Sequence, residues 1–309
     1  MLSVVEGLFI FIAVIESVLG TLGNGFIGLV NCIDCVKNKK CSVIGLILIG
    51  LATSRIFLIW IIITDGFIRI FSPDIYSSGS LIECVSYLWI IINHSSVWFA
   101  TNLSIFYFLR IANFSHHIFL WLKHRINKVF PLLIGLLLVS WLLSFPQIVK
   151  LINDYKVKNR NRTWHFMVPT SEYLAYETVL NLGVIFLFTL SVVTCFLLII
   201  SLWRHNRHMQ LNVLGVRDPS SEAHVRAMKV LLSFIILFTL NFIGIAIEIS
   251  CFIVPEKKWL MIFGMTTSAL YPWGHSFILI LGNSKLKQAS LKLLQILKCC
   301  GKEKPLRTP

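Results

Sequence analysis

Charged residues are scarce in this chain of 309 residues, and their scarcity excludes most classes of protein. Asp, Glu, Lys and Arg together make up only 14% of the sequence, whereas hydrophobic residues make up 56%. A soluble globular domain usually carries about 25% charged residues. The mean hydropathy is correspondingly high, at +0.79. The chain is therefore too apolar for a soluble protein of this size, and we expect a membrane protein.

The sequence also has few polar stretches long enough to form a separate domain. Its apolar residues fall into seven runs, and a helix needs about 20 such residues to cross a bilayer. This pattern predicts an all-α membrane protein, with residues 1–309 forming a single domain of seven transmembrane helices. The predicted spans are 7–33, 43–64, 84–109, 129–149, 178–203, 230–254 and 260–281. A short amphipathic helix over 284–298 is expected to lie in the membrane interface.

Acidic residues are rarer than basic ones, with 14 Asp and Glu against 28 Lys and Arg, which gives a net charge of +14. Such an excess could indicate nucleic-acid binding, but its location argues against that function. If the N-terminus is outside, the whole excess falls in segments that face the cytoplasm, as the positive-inside rule requires. We therefore expect a multi-pass plasma-membrane protein with an extracellular N-terminus and a cytoplasmic C-terminus. Its basic rim would meet anionic lipid and a cytosolic partner.

The 8 cysteines do not predict a disulfide framework. Cys32, Cys35 and Cys41 fall at the cytoplasmic end of the first span, where thiols normally stay reduced. The C-x-x-C spacing of the first two is expected to reflect packing. Cys84 and Cys251 could pair only if the outer ends of spans three and six meet.

Two kinds of modification site are predicted from position. Cys299 and Cys300 end the amphipathic segment beside the lipid, which makes them candidates for palmitoylation, and an unmodified tail is the alternative. Asn161 begins an Asn-Arg-Thr sequon in the long polar outer loop. It is the one sequon that the glycosylation machinery is expected to reach, since the others fall in a span or face the cytosol.

Four polar residues interrupt the apolar spans and predict a buried network: Asn24, Arg55, His275 and Ser276. Arg55 cannot lose its charge, so it must face the interior of the bundle. There we expect it to donate to Asn24 and to backbone carbonyls of span seven. The network could be a static knot that fixes helix register, or it could rearrange when a ligand binds.

Trp89 and Asn93 are one turn apart on span three and so project from the same side of the helix. An indole beside a carboxamide suits an apolar ligand with one hydrogen-bonding group. The alternative is a core Trp with an interhelical hydrogen bond. Glu177, at the outer start of span five, could meet a cationic ligand or be solvated. Glu16 and Glu248, toward the outer ends of their spans, could be wetted by an outer cavity.

The motifs of an enzyme or a transporter are missing. There is no HExxH, no GxSxG and no acidic pair in a span, so we expect neither catalysis nor a metal or cofactor site. No internal repeat and no pair of broken helices indicates a transporter.

Six segments of the chain form recognisable motifs: 24–27, 51–60, 99–125, 197–209, 215–229 and 275–288. They include NGFI in span one, LATSR in span two and HSFILILGNSKLKQ at the exit of span seven. The most informative reads FATNLSIFYFLRIANFSHHIFLWLKHR, an apolar helix that runs into a basic loop. In their order and spacing, these segments resemble the bitter taste receptors (taste receptor type 2), which are seven-helix receptors that signal through G proteins.

The resemblance implies a receptor that binds small bitter compounds in the outer half of its bundle and activates a G protein of the gustducin or inhibitory class. It adds two ligand positions, Asn241 and Met265, where relatives often carry Tyr and in some cases an acid, so ligand preference is expected to differ. The residues expected to face the G protein are Arg110, Lys123, Arg125, His205, His224 and Lys229. The alternatives are a pheromone-type seven-helix chemoreceptor and a membrane transporter.

Overall fold

The computed structural model describes residues 3–72, 80–112, 114, 116–126, 128–139, 141, 170–212, 219–253 and 258–300. Within these residues the chain is helical and contains no strand. The helices are α1 (Val4–Lys37), α2 (Val43–Phe71), α3 (Ser80–Ile111), α4 (His117–His124), α5 (Lys128–Val139), α6 (Thr170–Asn212), α7 (Pro219–Ile253), α8 (Lys258–Gly282) and α9 (Ser284–Cys300).

These helices confirm the predicted all-α class. Each predicted span lies within a helix as far as the structure describes it. By length and composition, three helical segments in the described residues could cross a membrane: Val4–Lys37, Val43–Ile68 and Gly183–Arg204. Lys128–Val139 and Leu232–Glu248 are shorter apolar helices. The complete arrangement of seven spans therefore stays a prediction.

Serine caps fix the starts of α1 and α2. The Ser3 hydroxyl accepts from the Glu6 N–H at 3.2 Å, and the Glu6 carboxylate accepts from the Ser3 N–H at 2.7 Å, which is a complete capping box. At α2, the Ser42 hydroxyl accepts from the Gly45 N–H at 3.1 Å. Both caps satisfy N–H groups that the first helical turn leaves without partners.

The bundle buries several polar side chains within its apolar core and exposes many large apolar ones. Asn24, Arg55 and Ser276 have no exposed surface. Many large apolar side chains point outward instead, and those more than half exposed include Phe57, Trp60, Phe186, Phe196 and Trp203. Hydrocarbon can solvate such side chains, whereas a water-soluble protein would bury them. The distribution is that of a helical protein surrounded by lipid.

Glycines mark the places where the helices approach most closely. A Cβ atom on Gly244 of α7 would lie 2.5 Å from the Ser268 nitrogen and 2.8 Å from the Gly264 oxygen, both on the backbone of α8. A Cβ atom on Gly50 of α2 would lie 2.5 Å from the Phe99 ring of α3. These contacts fix the depth of each helix relative to its neighbour.

The cysteine pairing differs from the prediction. Cys35 and Cys41 form a disulfide between the end of α1 and the start of α2, with Cα atoms 4.5 Å apart. The expectation of unpaired thiols is wrong for this pair, because the turn between the helices brings their Cα atoms within bridging distance. Cys32 and Cys84 are both free and exposed, so Cys84 does not pair with Cys251.

The helix predicted over residues 284–298 is present as α9, and it packs on the end of α1. The Lys285 ammonium lies 2.7 Å from an Asp34 oxygen and 3.4 Å from the Asn31 side-chain oxygen. Leu286 has no exposed surface, whereas Leu291 is half exposed. One face of α9 is thus anchored, and the other presents apolar side chains outward.

Candidate functional site

Arg55 of α2 forms the centre of a buried polar network. Its Nη2 donates to the Tyr271 hydroxyl at 2.8 Å and lies 2.6 Å from Nδ1 of His275. Its Cζ lies 4.7 Å from the centroid of the Tyr271 ring, a cation–π contact. Because a guanidinium has only donors, Nδ1 of His275 must be the acceptor, which places the imidazole proton on Nε2.

The hydrogen bonds of the Arg55 side chain are made by Nη2, to residues of one helix. Its Nε and Nη1 are buried and make no hydrogen bond within the described part of the chain. Both side chains that bind the guanidinium, Tyr271 and His275, belong to α8. The hydrogen bonds of this charge therefore depend on the position of a single neighbouring helix.

Asn24 links α1 to the same part of α8. Its Nδ2 donates to the Gly20 carbonyl at 2.8 Å and to the Pro272 carbonyl at 3.0 Å. Its Oδ1 accepts from the Ser276 hydroxyl at 2.7 Å, and that hydroxyl also lies 2.7 Å from the Pro272 carbonyl. With no exposed surface, Asn24 makes a closed, fully hydrogen-bonded bridge between two helices.

The structure thus brings all the predicted network residues together: Asn24, Arg55, His275 and Ser276. The predicted donation from Arg55 to Asn24 and to backbone carbonyls is wrong, because a phenol and an imidazole of α8 bind the guanidinium instead. Sequence reasoning missed Tyr271 and Pro272. They precede His275 and Ser276 by one turn and so share their face, which was the available signal.

Aromatic rings connect this network to α6 and α7. Phe188 of α6 lies 4.8 Å from Phe238 of α7, and Phe238 stacks on Tyr271 at 4.7 Å. Phe234, one turn along α7, lies 4.8 Å from the His275 ring. Both side chains that hold Arg55 are therefore packed against α7, and a displacement of α6 or α7 would change their surroundings.

Trp89 and Asn93 lie on α3 as predicted. Gly50 of α2 faces Phe99 of α3, and the two helices are antiparallel. Counting along both helices from that contact, Asn93 lies at nearly the level of Arg55, and Trp89 lies about one turn nearer the start of α3. Asn93 is 4% exposed, and Trp89 is partly buried.

The two ligand positions implied by family resemblance are also buried. Asn241 of α7 precedes Phe242, whose ring lies 4.8 Å from that of Phe188. Met265 of α8 packs on Gly66 of α2, where an added Cβ would lie 2.7 Å from the Met265 sulfur. The side chain of Glu177 lies outside the described part of the chain.

On the basic side of the bundle, Lys123 has a structural partner. Its ammonium donates to the Ala112 carbonyl at the end of α3, at 3.0 Å, and lies 5.6 Å from the Phe119 ring. Arg125 is exposed, and its Cζ lies 4.9 Å from the Trp121 ring. Lys123 thus caps the end of α3, whereas Arg125, just after α4, remains on the surface.

The remaining residues predicted to face the G protein or to be modified are either exposed or lie outside the described part of the chain. Arg110 and Lys229 are exposed. Five others have side chains outside the described part of the chain: Asn161, His205, His224, Cys299 and Cys300. Within the described residues, no group of three or more His, Cys, Asp or Glu could hold a metal ion.

A helical protein with an apolar exterior and a buried, charged network is a membrane protein that spans the bilayer several times. A family model described as taste receptor protein (TAS2R) matches residues 1–298. The chain belongs to this family, whose members are bitter taste receptors of the G protein-coupled class in the plasma membrane. The family is one of receptors and not of enzymes.

Individual relatives agree along nearly the whole chain. Taste receptor type 2 member 10 of Pongo pygmaeus is 70% identical over 304 residues, which cover 98% of each chain. The Homo sapiens protein of the same designation is 70% identical over 307 residues, 99% of each chain. Taste receptor type 2 member 105 of Mus musculus is 56% identical over 298 residues, 96% of this chain and 99% of that one. The resemblance inferred from the motifs is confirmed.

Proposed function

We propose that this protein binds small bitter compounds in the outer half of a seven-helix bundle and activates a heterotrimeric G protein of the gustducin or inhibitory class. The observation that carries the proposal is the agreement with taste receptors over 98% of the chain or more. The N-terminus is extracellular and the C-terminus cytoplasmic, which is supported by the basic segments at one side of the bundle.

Trp89, Asn93 and Asn241 form the core of the proposed ligand site. The two amides are buried, at 4% and 6% exposure, on helices that face the bundle interior. A buried amide needs a hydrogen-bond partner, and a ligand with one polar group can supply it while its apolar part packs against the Trp89 ring. Glu177 is proposed to contact only cationic ligands, and Met265 to limit the size of the site.

The signal is proposed to reach the G protein through α8. A ligand between α3 and α7 would displace the Phe188 and Phe238 rings, and Phe238 stacks on Tyr271. Because the Tyr271 hydroxyl accepts a hydrogen bond from Arg55, a movement of these rings would change that hydrogen bond. This favours a network that rearranges over one that is only a static knot.

The proposed G protein surface combines exposed cations of the second and third inner loops. Arg110, Arg125 and Lys229 are exposed in the structure. His205 and His224 belong to the same proposal on sequence grounds. Lys123 contributes indirectly, by capping α3 and so positioning the loop that carries Arg125.

The proposal is tested by replacing Asn93 with Ala in cells that express the receptor with a matching G protein and a calcium reporter. Losing one buried hydrogen bond is expected to cost about 1–3 kcal/mol, which lowers agonist potency roughly tenfold to a hundredfold. The loss should affect agonists that carry a hydrogen-bonding group, at unchanged surface expression.

Asn102→Ala is the matched control, since Asn102 is buried on the same helix about two and a half turns further inward. It should not discriminate between agonists. If Asn93→Ala responds normally to every active compound, Trp89 and Asn93 are packing residues and the ligand binds elsewhere.

A further inference from the structure

The turn between α1 and α2 is closed into a ring by the disulfide that joins Cys35 and Cys41. Asn38 caps α1, and the next residue, Lys39, has a φ of 50°, in the left-handed region. Glycine commonly takes this position after a helix, but here a lysine reverses the direction of the chain. The reversal brings the Cα atoms of the two cysteines within 4.5 Å of each other. The bond therefore ties the end of α1 to the residue before the Ser42 cap of α2.

The two sulfurs of this bond can be reached from solution. Cys35 and Cys41 are both partly exposed. On its inner side the bond lies against the first turn of α2, where a Cβ on Gly45 would be 3.9 Å from each sulfur. Exposed disulfides are the ones that exchange with thiols, whereas enclosed structural ones resist reduction. The position of the bond is therefore that of a labile disulfide.

The ring that the bond closes is strongly basic. Lys37, Lys39 and Lys40 lie between the two cysteines in the sequence, and all three are exposed. The acid nearest to them in the sequence, Asp34, forms its ion pair with Lys285 of α9, at 2.7 Å. A thiol reacts as its negatively charged thiolate, and a cluster of cations raises the local concentration of anions. The ring thus favours attack by a thiol that is itself anionic.

We propose that Cys35 and Cys41 form a reversible thiol–disulfide site whose co-reactant is a small anionic thiol of the glutathione type. The structure shows the closed form of this site. A cytosolic source for the thiol rests on the proposed orientation, which places the turn in the cytoplasm. Disulfides in that compartment are usually transient and redox-sensing.

Opening of the ring takes two exchange steps. A glutathione thiolate attacks Sγ of one cysteine, the S–S bond breaks, and a mixed disulfide forms while the other cysteine leaves as a thiolate. A second glutathione thiolate attacks the mixed disulfide and releases the first cysteine. The two cysteine thiolates take up the two protons that the glutathione thiols gave up, and the two glutathione molecules leave as one oxidised glutathione. Excess oxidised glutathione drives the same steps in reverse and closes the ring.

The first experiment follows the bond itself. The purified full-length receptor in lipid nanodiscs is equilibrated with glutathione buffers that run from oxidised to reduced, and free thiols are trapped with N-ethylmaleimide for mass spectrometry. We expect Cys35 and Cys41 to be joined in oxidised buffer and free in reduced buffer, and the change to reverse when the buffer is exchanged. A bond that survives reduced glutathione in the folded receptor, or that does not form again, would overturn the proposal.

The second experiment measures what closure does to the receptor. A closed ring restricts the unfolded chain, so we expect Tm to be about 3–6 °C higher in oxidised than in reduced buffer. Cys41→Ser should melt at the same temperature in both buffers. Cys32→Ser is the matched control, because it removes a free, exposed thiol one turn before Cys35 and should keep the difference. Equal Tm values for the unmodified receptor in the two buffers would contradict a stabilising ring.

The third experiment tests the charge of the co-reactant. Rates of opening are compared for glutathione, which is anionic, and 2-mercaptoethanol, which is neutral. A variant that combines Lys37→Gln, Lys39→Gln and Lys40→Gln should open about threefold or more slowly with glutathione and at an unchanged rate with 2-mercaptoethanol. Lys292→Gln, an exposed position further along α9, should change neither rate. Equal slowing with both thiols would exclude selection for an anionic thiol.

In intact cells, alkylation should find the pair open at rest and closed after treatment with diamide, a permeant thiol oxidant. A pair that is closed in untreated cells would contradict a cytosolic co-reactant. The glycan at Asn161 reports orientation separately, and Asn93→Ala reports ligand binding. The exchange experiments on purified receptor use neither an agonist nor a G protein, so their failure can be told apart from failure of the bitter receptor proposal.

Discussion

At the scale of single residues, the main feature is that Arg55 is bound by neutral groups. No carboxylate pairs with it in the described part of the chain, and its hydrogen bonds go to a phenol and an imidazole. A charge held in this way depends on geometry more than on electrostatic attraction. Small displacements of Tyr271 or His275 therefore have a large effect on how well the guanidinium is satisfied.

Tyr271→Phe tests this dependence. The variant keeps the ring and its cation–π contact but removes the oxygen that accepts from Arg55, so we expect destabilisation of about 1–3 kcal/mol. Thermal unfolding of the purified receptor measures it, and responses to all agonists should fall alike. Thr239→Val is the control, because that exposed hydroxyl bonds only to the Ile235 carbonyl of its own helix. An unchanged Tm for Tyr271→Phe would mean that its hydrogen bond contributes nothing to stability.

The sequence reveals which residues belong to the network but not how they pair. Asn24 and Arg55 stand out because a polar group in an apolar span is costly and needs a partner. Which partner it finds depends on the rotation of α8 about its axis. That rotation is set by packing along the whole helix, so Tyr271 could not be chosen over the backbone carbonyls from the sequence.

At the scale of helices, the contact between α7 and α8 is governed by Gly244. Gly244→Ala is expected to destabilise the receptor by about 1–3 kcal/mol, because the new Cβ would overlap backbone atoms that cannot move aside. Surface expression and Tm provide the measurement. Gly25→Ala introduces the same group into open space and should be neutral or slightly stabilising, given the higher helix propensity of Ala. Equal effects of the two variants would contradict a close contact at Gly244.

The attachment of α9 gives a second comparison between variants. Leu286 has no exposed surface, and Leu286→Ala should cost about 2–5 kcal/mol. The Lys285–Asp34 ion pair has both side chains more than 40% exposed, and Lys285→Ala should have a much smaller effect because solvent screens the pair. Unfolding curves of the two variants measure the difference. A larger loss for Lys285→Ala would mean that charge, and not packing, anchors α9.

Helix positions were predictable because lipid thickness demands a long apolar run. The ends of the helices were harder to predict, since a helix can continue beyond the membrane. α6 extends to Asn212 although its predicted span ends at 203. Similarly, the reducing compartment predicted free thiols at Cys35 and Cys41, but the turn that pairs them depends on local backbone geometry that composition does not reveal.

At the scale of the whole molecule, the proposed orientation rests on charge and can be checked by glycosylation. Asn161 lies outside the described residues, and its sequon is predicted to face the cell exterior. Asn161→Gln should abolish the gel shift that glycosidase treatment produces in the unmodified receptor. Asn38→Gln is the control substitution, because Asn38 is exposed at the C-terminal end of α1. It should leave the gel shift intact. A shift that survives Asn161→Gln would mean that the glycan lies elsewhere or that the orientation is reversed.

Pro272 lies inside α8 and interrupts its backbone hydrogen bonds. Proline cannot donate the helical hydrogen bond to the Ser268 carbonyl, and helices bend most readily at such positions. Asn24 binds the carbonyl of this same residue, and Tyr271 immediately before it holds Arg55. A bend of α8 here would therefore pull on α1 and release α2 in one movement. α1, which contributes no residue to the proposed Trp89 site, would then limit how far α8 can bend, because Asn24 holds the Pro272 carbonyl.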